Sequence, residues 1–79
     1  MIGLRMAKLR RRKGLTQGQL ARRYDCSRQF LSAVELCKRD APVALVALYI
    51  ERCDPSDEER SALLEGLVME QALKRRGRG

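Results

Sequence analysis

Residues 16–35 read TQGQLARRYDCSRQFLSAVE, and this stretch decides the fold. Its pattern is a helix, a tight turn and a second helix. Thr16 followed by Gln19 is a capping box. The hydroxyl takes a free backbone N–H at the helix start, and the Gln side chain reaches back to the cap's own N–H. Ser27 can cap the second helix in the same way. Leu20, Ala21 and Tyr24 recur at one-turn spacing, so the first helix has one buried face. In the second helix Leu31 and Val34 face inward, leaving Arg28, Gln29, Ser32 and Ala33 outward. Ala21 is small where two helices must cross closely. The turn, Asp25-Cys26, is short enough to force a sharp angle between them.

Working outward, residues 3–13 (GLRMAKLRRRK) predict a preceding helix. Its apolar contacts come from Leu4 through Leu9, with Met6 and Leu9 one turn apart. Arg10 to Lys13 suit the negative C-terminal end of that helix. Gly14 serves as its C-cap, and Leu15 plugs the core at the corner. Downstream, the second helix of the pair extends to about Leu36. Pro42 fits the first turn of a fourth helix, with Asp40 ahead of it as a cap candidate. That helix, residues 43–53, is apolar nearly all round, and its length and Ala content favour a buried helix over a strand. Ser56 and Glu59 form a second capping box, with acids crowding the positive helix end. A fifth helix, about 57–73, follows. Leu63, Leu64, Leu67 and Val68 give it an apolar stripe wider than a surface helix needs; packing onto the fourth helix alone is one use of it, and contact with a partner is the expected one. Gly66 is either a weak point in this helix or a place of close approach. The tail, residues 74–79, is basic and Gly-containing, with disorder expected. One domain over residues 1–73 is therefore expected, all-α and five-helical.

Seventy-nine residues bury only about 60% of the surface the unfolded chain exposes. An enclosed catalytic site is not expected in so small a core, and dimerisation is a natural source of further stability. The net charge is +7, unevenly placed. Residues 1–39 hold eleven Lys/Arg and two acids, a balance of +9, and residues 40–79 hold six and eight, a balance of −2. A basic half joined to a near-neutral half points to one face for a polyanion and another for a different task. There is no His, which removes the commonest general base and metal ligand. Cys26, Cys37 and Cys53 form no CxxC pair and are odd in number, so neither a zinc site nor a disulfide framework is expected. No cofactor is implied. There is no signal peptide pattern, and no run approaches the length of a membrane span, so a cytoplasmic protein is expected.

LRRRKGLTQGQLARRYDCSRQFLSAVELCKR resembles the helix-turn-helix domain of the phage Cro/repressor class, the XRE-like family, over roughly residues 4–50. The motif residues are GLTQ-x-x-LA, the turn, then S-R-x-x-L-S-x-x-E. The resemblance implies a compact lambda-repressor-like fold and sequence-specific binding of double-stranded DNA. It further implies a homodimer on a near-palindromic operator, with no enzymatic activity and no small-molecule ligand. Small stand-alone regulators of this kind include Cro-like repressors, restriction–modification controller proteins and anti-CRISPR-associated regulators. The role implied is a (auto)repressor of a small operon on a phage or mobile element. An antitoxin or other interaction module built on the same fold is the alternative. Position by position, Gln17 would hold a phosphate and Ser27 would lie near the backbone. Arg28 and Gln29 would reach base edges, and Ser32 and Ala33 would make short contacts. Lys38 and Arg39 would meet phosphates or a groove edge. Phe30 suits either a thymine methyl or the core. Arg10 and Glu35 match a structural pair that joins helix 1 to helix 3. The fifth helix would dimerise through Leu63, Leu64, Leu67 and Val68. Asp25 and Cys37 stand where the family usually has Gly.

Overall fold

A computed structural model of the chain describes the backbone of residues 1–77 and side chains through residue 73. The helices are α1 (Ile2–Lys13), α2 (Gln17–Tyr24), α3 (Arg28–Glu35), α4 (Val43–Cys53) and α5 (Asp57–Gly77), and no strand occurs among the described residues. The all-α, five-helix expectation is thus met. Each helix start follows from its local chemistry. At α2, Thr16 Oγ1 accepts from the Gln19 N–H at 3.1 Å, and Gln19 Oε1 accepts from the Thr16 N–H at 2.8 Å. At α3, Ser27 Oγ accepts from the Phe30 N–H at 3.0 Å. At α5, Ser56 and Glu59 make the same reciprocal pair as α2. Only α4 departs from the sequence expectation. Its N-cap is Pro42 and no side chain caps it, so Asp40 does not take that role.

Helix α1 lies at the centre, packing against α3, α4 and α5, while α2 packs on α3 and α4. Its buried side is Ile2, Met6, Leu9 and Arg10. Leu4, expected inside, is exposed, because it sits roughly half a turn round the helix from Met6 and Leu9, on the opposite side. The approach to α3 is close. A Cβ added at Gly3 would lie 2.1 Å from the carbonyl oxygen of Val34, so only Gly lets the first turn of α1 sit on that backbone. The rest of the core is Leu20 and Ala21 from α2, Leu31 and Val34 from α3, Leu45, Val46, Tyr49 and Cys53 from α4, and Leu63 from α5.

Helix α5 corrects several expectations. Leu63 is buried in the protomer's own core and cannot face a second chain. Leu67 is half-buried and packs against that core. Both lie on the side that rests on α1 and α4. Leu64 and Val68 are exposed, as are Met69 and Leu73. Gly66 marks a close approach: a Cβ there would meet Ile2 Cβ at 3.4 Å. The helix also runs past residue 73 to Gly77, through Lys74, Arg75 and Arg76, which are good helix formers with no breaker before Gly77. The expected disordered tail therefore begins as helix, and its residues 78–79 lie outside the described residues. No described helix is long and apolar enough to cross a membrane.

Candidate nucleic-acid interface

The angle between α2 and α3 is set by how α2 ends. Asp25 adopts φ 62°, the left-handed conformation that Asp tolerates better than most residues. Its N–H donates to Arg22 O and the Cys26 N–H donates to Ala21 O, closing the helix with two bonds. Chain direction then reverses into the Ser27 cap. The result places Gln17, Ser27, Arg28, Gln29 and Ser32 around one shallow open concavity, with Arg28 and Gln29 exposed. No acid lines it. Ser27 accepts a backbone N–H, so its own O–H remains to donate. The first-turn N–H groups of α2 have no intrahelical partner and supply the positive end of the helix dipole. Donors and a cation thus converge where an anion could be held, beside side chains long enough to reach further.

Lys38 and Arg39 belong to a neighbouring depression with Phe30, Cys37, Asp40 and Pro42. Phe30 is half-buried against the core, so the core reading of this residue is the one realised. Its ring lies 5.6 Å from Arg39 Cζ, a cation–π contact that holds the loop cation beside α3. Cys37 occupies the usual glycine position at φ 62°, and the bonds Cys37 N–H to Val34 O and Lys38 N–H to Ala33 O close α3. Ala33, read as outward, is half-buried.

Behind the interface is a buried polar hub. Arg10 Nε donates to Glu35 Oε2 at 2.7 Å and Arg10 Nη2 to Glu35 Oε1 at 2.9 Å. Gln17 Nε2 donates to Glu35 Oε1 at 2.9 Å, and the Tyr49 hydroxyl donates to Glu35 Oε2 at 2.6 Å. Arg10 Nη1 also reaches the Leu15 carbonyl. One carboxylate therefore ties α1, α2, α3 and α4 together. Burial pushes the Glu35 carboxyl up, but the bonds from Arg10, Tyr49 and Gln17 outweigh it and hold the group below its ordinary value. The bond to Glu35 raises Arg10, against the opposing effect of burial. Burial, reinforced by the carboxylate, raises Tyr49 far above the usual phenol range, so it stays a donor. Gln17 spends one amide hydrogen on Glu35, and the second remains for an outside acceptor.

Sequence reasoning did not single out Tyr49. The available signal was a polar tip on the side of α4 that carries Leu45, Val46 and Cys53, which demands a buried partner. Gly3 left no signal, because its role depends on a contact 31 positions along the chain with Val34. Leu64 and Val68, expected from the sequence to dimerise, lie on α5, away from the concavity's lining. All three cysteines are free, with Cys53 buried and Cys26 and Cys37 half-buried. Among the described residues no group of Cys, Asp or Glu could hold a metal ion.

A family model described as a helix-turn-helix domain matches residues 2–63. The chain belongs to the helix-turn-helix domain family. It is 36% identical over 66 residues to an uncharacterised HTH-type transcriptional regulator of Sinorhizobium fredii, a match covering 73% of this chain and 86% of that protein. No solved structure matches the chain significantly. In this helix-turn-helix chain the family match takes in α1 to α4 and the first two turns of α5. The exposed apolar part of α5 lies beyond it.

Proposed function

We propose that this chain is a sequence-specific regulator of transcription that binds double-stranded DNA with α3 in the major groove. Its operator is near-palindromic, and a homodimer sets two α3 helices in successive major grooves about 34 Å apart. It represses a small operon of a phage or mobile element, its own gene included. The observation that carries the reading is the single concavity shared by Gln17, Ser27, Arg28, Gln29 and Ser32. Further support comes from the similarity to the HTH-type transcriptional regulator of Sinorhizobium fredii. In this reading Gln17 and Ser27 clamp a phosphate at the α2 and α3 starts. Arg28 reads the O6/N7 edge of guanine, and Gln29 an adenine or a phosphate. Ser32 makes a short contact, and Lys38 and Arg39 neutralise backbone phosphates.

The test is an operator selected from random DNA, followed by titration of Arg28→Ala. Binding to the selected site should weaken by about 1–3 kcal/mol, with choice relaxed at one base pair per half-site. Arg28 is exposed and outside the hub, so folding should be unaffected. Unchanged affinity and footprint would remove α3 from the reading role.

A further inference from the structure

The loop from α3 to α4 is anchored at both ends. Cys37 closes α3 in the left-handed conformation, the Lys38 N–H donates to Ala33 O at 2.8 Å, and Ala41 is buried. The backbone around Arg39 is therefore held on either side, while its side chain is exposed. A free arginine side chain carries rotamer entropy that binding must remove. Here an aromatic ring limits that freedom. Phe30 sits about 200° round α3 from Arg28, so it turns from the concavity towards the depression that also holds Arg39. Its backbone N–H is bonded to Ser27 Oγ, and its side chain is half-buried against the core. The Arg39 guanidinium lies over the ring, with Cζ 5.6 Å from its centroid. Among the described residues Arg39 makes no ion pair with a carboxylate. The depression is lined by two cations, Lys38 and Arg39, against one acid, Asp40.

We infer that Phe30 is a positioning residue for the proposed DNA interface: its ring pre-orders Arg39 to meet a backbone phosphate. A planar guanidinium stacked on a ring keeps its edge N–H groups free for a phosphate. The stack therefore uses up no donor, and it removes part of the ordering that binding would otherwise require. It also ties the loop cation to the helix that carries Arg28 and Gln29, so the phosphate contact and the base contacts share one register. The inference rests on the DNA-binding reading above and adds to it a residue that acts through another.

A double-variant cycle on the selected operator tests it. Arg39→Ala should weaken binding on the order of tenfold per protomer and flatten the salt slope of log affinity by about one unit. Phe30→Leu keeps apolar bulk at the half-buried position and removes the ring, and it should weaken binding about threefold. In the Arg39→Ala background the same change should cost nothing further, and Phe30→Tyr should recover the affinity that Phe30→Leu loses. An equal loss in both backgrounds would mean that the ring acts through α3 or the core, and would overturn the inference. An Arg39→Ala chain with native affinity would overturn it as well. The stack is also read without DNA. In the free protein the ring should shift the Arg39 Hδ resonances upfield, and Phe30→Leu should return them to ordinary positions. Unshifted resonances in the native chain would remove the pre-ordering. A native chain that selects no DNA would end the proposed function and this inference together. Weaker binding by Arg28→Ala, with additive losses at Phe30 and Arg39, would end this inference alone.

Discussion

Glu35 carries a negative charge into the interior, and Arg10, Gln17 and Tyr49 together direct four hydrogen bonds at its two oxygens. A buried ion pair contributes little net stability against an apolar substitute, yet breaking one side is costly. Arg10→Met should therefore destabilise by about 3–5 kcal/mol in urea unfolding, whereas Arg10→Met with Glu35→Leu should recover much of that. A double variant no better than the single one would mean that the hub's worth is not the pairing of charge. Tyr49→Phe removes one donor to a charged acceptor and should cost about 1.5–3 kcal/mol. The same group sets an acid limit. Because the folded Glu35 carboxyl titrates below its ordinary value, its contribution is complete above the ordinary carboxylate range. It is lost as pH falls through the folded value. Circular dichroism between pH 6 and pH 2 should show cooperative acid unfolding, and Glu35→Gln should flatten the pH dependence while lowering stability at neutral pH. A native and a Glu35→Gln chain with parallel acid profiles would assign the acid transition to other carboxylates.

Among the elements, α1, α2 and α3 close alike. In each, two consecutive N–H groups bond back into the last turn, and the residue at the corner takes positive φ: Gly14 at 79°, Asp25 at 62° and Cys37 at 62°. Glycine adopts this conformation without strain, Asp with little, and Cys at a cost of roughly 1–2 kcal/mol. Part of any gain from glycine is offset by its freer unfolded chain. Cys37→Gly should raise stability by about 0.5–1 kcal/mol, and Asp25→Gly by less, read as midpoints of denaturant unfolding. The reverse order would mean that the Cys37 side chain, which lies against Gly3, contributes more by packing than its backbone loses. The Gly3 contact likewise explains why α1 starts where it does. Its first turn rests on the end of α3, so the helix that reads DNA in the proposed function is braced from behind.

Across the whole molecule, the basic half is less available than its charge implies. Arg10 is consumed inside the hub, and Arg12 makes a bidentate pair with Glu59 that joins α1 to α5. Glu59 is shared with the Ser56 cap, and the Ser56 backbone N–H and the Arg12 guanidinium both hold its carboxyl below the ordinary value. The cations left near the concavity include Arg28, Lys38 and Arg39. Lys38 is exposed and bonded to the core only through its backbone. Lys38→Ala should weaken binding to specific and random DNA alike and flatten the salt slope of log affinity by about one unit per protomer. An unchanged slope would take this loop off the phosphate backbone. The partition of charge also separates tasks: α3 and its flanks present donors and cations, and the far side of α5 presents apolar side chains.

Five helices, the caps of α2, α3 and α5 and the inward side of α3 were legible in the sequence, because each depends on residues within one or two turns. Thr16 with Gln19, Ser27, Ser56 with Glu59, and the inward pair Leu31 and Val34 all act locally. The Arg10–Glu35 pair came from family resemblance and not from spacing, since 25 positions separate the two residues. What only the tertiary structure decided is long-range. It put Tyr49 and Gln17 on the same carboxylate, fitted Gly3 against Val34, placed Ile2 inside and Leu4 outside, and divided the stripe of α5 into an inner Leu63 and Leu67 and an outer Leu64 and Val68. Periodicity states that a helix has an apolar side. Which part of a broad side meets the protomer's own core depends on where the neighbouring helices lie, and that is settled by packing.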